Sequence, residues 1–197
     1  MSELESAVKT PTAPMIQERQ RTQLDFTQQL LPATWVTKTA MVLDALYDGP
    51  DVFSQDEREL LRTQSVPPSH ARIRMGILDP ALESIGPVRY LRVLGHIGPT
   101  ATSRDHAGGF VIGLGMGPLF FSYLSPPERH TPSLARNGRV TPRWFELLPP
   151  STSAEWPPSQ LLDADASFNV ITEVLSKGFV QLPRQQLLES WAVVSTR

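Results

Sequence analysis

The chain has 197 residues, 40% hydrophobic and 19% charged, with a formal net charge of −2. That length suits one globular domain burying roughly 70% of its unfolded surface, and the balance excludes wholesale disorder. Cysteine is absent, which excludes disulfides, thiolate nucleophiles and cysteine-ligated zinc.

No apolar run approaches the ~18 residues needed to span a bilayer. The start, "MSELESAVKTPTAPMIQERQRTQ", lacks the basic and apolar regions of a secretory signal. A cytoplasmic location without a membrane partner is the expectation. The 19 prolines are nearly twice the usual share of about 5%. Because proline blocks helix interiors and central strands, the pairs at 67–68, 126–127, 149–150 and 157–158 read as punctuation between elements.

Residues 1–22 are polar and aperiodic, contain Pro11 and Pro14, and read as a flexible arm before a single domain over 23–197. The first firm element is "LPATWVTKTAMVLDALYDGP". Pro32 suits its first turn, where a missing N–H costs nothing. Val36, Ala40, Leu43 and Tyr47 recur at helical spacing, and Trp35, Val42 and Leu46 widen the apolar stripe. Gly49–Pro50 is the stop. In "FSQDERELLRTQ" Ser54 can cap a second helix, with Glu57 completing a capping box, Arg62 in the last turn and Pro67–Pro68 beyond.

Strand patterns follow. "ARIRMGIL" alternates Ile73, Met75 and Ile77 with Arg72, Arg74 and Gly76, the period of a half-buried strand. "VRYLRVLGHI" is a second strand, and the apolar runs "GGFVIGLG" and "PLFFSYL" read as central strands. The segment 125–158 is Pro-rich and irregular, with "RWFELLPP" as one further strand candidate. "LLDADASFNVITEVLSKG" reads as a helix capped by Asp163 or Asp165, "FVQL" as an edge strand, and "PRQQLLESWAVV" as a short closing helix. Helices, then strands, then helices predict an α+β fold: a mostly antiparallel sheet of four to five strands packed by N- and C-terminal helices.

"GLGMGP" resembles a dinucleotide fingerprint only superficially. The third glycine position of G-x-G-x-x-G is Pro118, and β-prone "LFFSYL" follows where a helix must open. Its glycines instead suit a tight hairpin turn, and no cofactor is expected. His96 and His106 could act as acid and base on a phosphodiester, with Arg104 steadying charge and Asp105 nearby. His130 with Asp105 could contribute to a metal site, although no pair has the spacing of a metal-binding helix, and no metal is expected. No serine lies in a G-x-S-x-G elbow. Acids are sparse between 67 and 143, which disfavours a glycosidase.

Charge is unevenly spread. Residues 67–143 carry nine arginines against four acids, between two acidic ends. Arg72, Arg74 and Arg92 on one face would make an anion-binding surface, whereas internal charge complementarity between sheet and helices would tie them up within the fold. Nucleic acid is disfavoured, since the chain has three lysines and an isoelectric point near 6.1. The leading expectation is a non-enzymatic module that binds another protein, in an immunity or antitoxin-like, chaperone or adaptor role. Trp156, set among prolines, is its expected exposed anchor. A small phosphodiesterase or nuclease and a small-ligand-binding domain are the alternatives, and the composition is compatible with a homo-oligomer.

Overall fold

The computed structural model describes residues 6–8, 12–13, 21–46, 51–80, 88–94 (backbone), 110–125, 143–150 and 155–163. Two helices, α1 (Phe26–Ala45) and α2 (Gln55–Gln64), precede most of the strands. These are β1 (Thr22–Gln23), β2 (Arg72–Ile77), β3 (Val88–Leu94), β4 (Phe110–Met116), β5 (Leu119–Ser125), β6 (Phe145–Leu148) and β7 (Glu155–Trp156). Five strands form one sheet in the order β3-β4-β5-β2-β6, and β1 pairs with β7 in a separate ribbon. Every neighbouring pair is antiparallel. The fold is α+β, and the apolar strands β4 and β5 lie inside the sheet, as their continuous hydrophobicity requires.

Glycine closes the β4–β5 hairpin. Met116 pairs with Leu119, leaving Gly117 and Pro118 as the two central turn residues. Gly117 has φ +54°, and the proline ring after it holds a negative φ. That order of signs is the type II′ pattern, whose twist matches the flanking strands.

α1 starts six residues earlier than its proline suggests. The Asp25 carboxylate accepts from the Gln28 N–H at 2.8 Å, and the Gln28 side chain accepts from the Asp25 N–H at 3.0 Å. This capping box places Pro32 inside the helix rather than in its first turn. The buried face also departs from the apolar stripe. Val36 and Ala40 are buried, but so are Gln29, Thr34, Thr37 and Asp44, while Val42 and Leu46 face solvent. Hydroxyls can be buried here because each bonds the carbonyl four residues back. Thr34 Oγ1 donates to Leu30 and Thr37 Oγ1 to Ala33, both at 2.9 Å.

α2 follows its expected signals. Ser54 accepts from the Glu57 N–H, the Glu57 carboxylate accepts from the Ser54 N–H at 2.7 Å, and Ser65 ends the helix in the left-handed region. Residues 6–8 are helical, Val8 and Thr12 are buried, and Thr22 pairs with Trp156. Burial of Val8 offsets ordering cost, and the Thr12 hydroxyl donates to its carbonyl at 2.6 Å.

The main core lies between α1 and one face of the sheet, built from Val36, Ala40 and Met41 against Ile73, Met75, Ile112, Phe121, Tyr123 and Phe145. Trp35 meets Phe121 edge-on at 5.9 Å between centroids. The other face carries a smaller cluster of Leu78, Phe120, Trp144 and Leu162. Leu162 forms an isolated parallel bridge with Leu78, its N–H donating to the Ile77 carbonyl at 2.7 Å. This packing requires glycine at position 76. A Cβ there would overlap the Leu162 side chain and stand 3.0 Å from the Arg143 carbonyl oxygen. The helices and edge strand expected over 164–197 lie outside the described residues.

Candidate functional site

Two polar clusters stand out against this apolar framework. The first joins the two helices. The Asp44 side chain is 0% exposed, and its Oδ2 accepts from Arg58 Nη2 at 2.9 Å and from the Val52 N–H at 3.1 Å. Arg58 also donates from Nη1 to the Met41 carbonyl at 3.1 Å, and its guanidinium lies 5.8 Å from the Phe53 ring centroid. It therefore supplies positive charge to an α1 C-terminus whose last turn has no basic residue. Phe53 packs edge-on against Phe110 and Tyr123, at 5.0 and 5.2 Å between centroids.

On the residue before Arg58, Glu57 Oε1 lies 3.1 Å from His70 Nε2. Burial pushes the Glu57 carboxyl upward, but the hydrogen bonds from His70 and at the Ser54 cap outweigh it and hold the group below the usual carboxylate range. The Tyr123 hydroxyl is buried without a hydrogen-bond partner among the described residues. Desolvation first, and then the charge of Glu57, raises it well above the ordinary phenol range. A phenol so disposed stays protonated and is a poor base. The cluster ties α2 to the end of α1 through Asp44 and to His70 through Glu57.

The second cluster lies on the opposite face of the sheet. Arg72 and Arg74 alternate with the core residues of β2, and Glu146 of β6 pairs with Arg74 in the ladder. Arg74 Nε lies 3.2 Å from Glu146 Oε2, and Arg72 Nη1 lies 4.0 Å from Oε1. Desolvation raises the Glu146 carboxyl above its usual range and outweighs both arginines. Leu147 is the extra residue where the β2–β6 register shifts between Ile73 and Arg74, a bulge beside the carboxylate.

The arginines of the expected surface occupy two sets of register positions. Arg72 and Arg74 share a face, but Arg92 pairs with Ile112, which pairs with Tyr123 and through it with Ile73. Its register position belongs to the alternate set of rows from that of Arg72 and Arg74. Arg72 and Arg74 are joined to one acid, Glu146, which is 72 residues from Arg74 along the chain.

Trp156 requires a correction. It is 0% exposed, packs edge-on against Phe145 at 6.0 Å between centroids, and pairs with Thr22. The ring fills core volume between the small ribbon and the sheet, so it is no exposed anchor. His96, Arg104, Asp105, His106 and His130 lie outside the described residues. No helix among the described residues is long and apolar enough to cross a membrane, and no group of three or more metal-ligating side chains occurs there.

Sequence reasoning missed two participants. Asp44 lay in a helical stretch read for its apolar stripe, and Glu146 in a strand read for its hydrophobics. The only local signal was a lone acid within each apolar run. No family model matches the chain, and no curated protein or solved structure matches it.

Proposed function

We propose that this chain is a non-enzymatic module that binds another protein, in an immunity-, chaperone- or adaptor-type role. The observation that carries the reading is on the outer side of α1. Val42 and Leu46, one helical turn apart, are 51% and 76% exposed, while the opposite side of the same helix buries Asp44 and Thr37. Two large apolar side chains adjoining on a helix surface lose water-exposed area when an apolar partner covers them. They contribute only a small part of the roughly 1,200–2,000 Å² that a stable complex buries, so they form the apolar centre of a larger contact.

The test combines size-exclusion chromatography with light scattering and recovery of the natively expressed chain. Wild type is expected to elute with a stoichiometric partner. The variant Val42→Glu, Leu46→Glu should lose it while unfolding at the same denaturant concentration. A lone monomer under native expression, a self-dimer only, or a partner retained by the double variant would each defeat the reading.

A further inference from the structure

We infer that Arg72 and Arg74 form a binding site for one oxyanion, a carboxylate or a phosphate group, on the face of the sheet away from α1. The site is separate from the α1 ridge and does not depend on it. Residues two apart on a strand point the same way and stand about 6.6 Å apart, a spacing that lets two guanidinium groups converge on one anion. Both side chains are mostly buried, with 18% and 13% exposed.

Among the described residues Glu146 is the charged partner of both. One carboxylate against two guanidinium groups leaves a residual positive charge where water is largely displaced, so Coulomb attraction for an added anion is stronger than at an open surface. The distribution of contacts is uneven as well. Arg74 takes the one hydrogen bond, to Oε2. Arg72 sits at 4.0 Å from Oε1, beyond hydrogen-bond reach, and Oε1 itself has no hydrogen-bond partner. Arg72 is thus the recruiting group, with a five-donor fork shaped for bidentate contact with an oxyanion. Glu146 acts as an internal stand-in that holds part of the site.

The experiment titrates the full-length protein with sodium phosphate and, separately, sodium acetate at constant ionic strength, with chloride as control. Arginine Nε–Hε signals in ¹⁵N correlation spectra are the readout. A saturable shift of the Arg72 and Arg74 signals with phosphate or acetate, absent with chloride, is expected, and the tighter of the two ions identifies the group. Glu146→Gln should tighten binding several-fold by removing the competing carboxylate, an effect that a purely structural ion pair would not produce. Arg72→Gln should weaken it roughly tenfold or more, since hydrogen bonds to charged groups contribute on that scale. Arg72→Lys, which keeps the charge but loses the fork, should fall between them. No saturable shift in wild type overturns the proposal, as does an affinity unchanged in both Arg72 variants, which would mean an adventitious ion only.

Discussion

Asp44 of α1 and Arg58 of α2 meet at 2.9 Å with the carboxylate wholly buried, so a buried ion pair ties the junction of the two helices together. Asp51 lies 3.5 Å from the same guanidinium but is 67% exposed, and solvent screens it. Arg58→Met removes a hydrogen-bonded cation from the buried Asp44 carboxylate and should lower stability by about 3–5 kcal/mol. The double variant Asp44→Leu, Arg58→Met should recover most of that loss. Urea unfolding midpoints of both measure it, and a single variant as stable as wild type would refute the assignment.

Glycine at position 76 is a packing requirement. Gly76→Ala should cost about 1–3 kcal/mol through overpacking against Leu162. Shortening Leu162 to alanine in the same chain should make the two losses less than additive, because each change relieves the other. Additive losses in denaturant unfolding would place the strain elsewhere.

Glu57 links acid stability to the His70 contact. Its carboxyl is held below the ordinary range, so the folded state binds fewer protons than the unfolded chain as pH falls. The stability it contributes is fully present above the unfolded pKa of about 4.3, and is lost as pH drops through the lowered folded value. Glu57→Gln can keep the capping box while removing the charge. The variant should be less stable at neutral pH and show a flatter acid limb in thermal unfolding between roughly pH 2 and 5. An acid limb identical in slope to wild type would exclude Glu57 as its source.

For Trp156, burial makes a different forecast from surface anchoring. Trp156→Ala should lower unfolding stability by about 3–5 kcal/mol, the usual cost of emptying a large aromatic core site. Unchanged stability with lost partner capture would restore the anchor role.

What the residue order determined by itself is the local grammar. The alternation Ile73, Met75, Ile77 aligns strand β2 because side chains change face at every residue, and Ser54 with Glu57 starts α2 because their contacts span three positions. Gly117–Pro118 sets its turn by backbone sterics alone. These are short-range constraints, so a single chain segment carries all the information they need. Tertiary structure decided which of the remaining polar and apolar groups meet. Asp44 went inside because Arg58, fourteen residues on, returned to neutralise it, leaving Val42 and Leu46 outside. Trp156 was drawn into the core by Phe145 and the β1 strand, and the pairing of strands distant in sequence set the register position of Arg92. Burial energy and ion pairing depend on three-dimensional neighbours, and the spacing of letters along one segment does not specify which distant segment arrives.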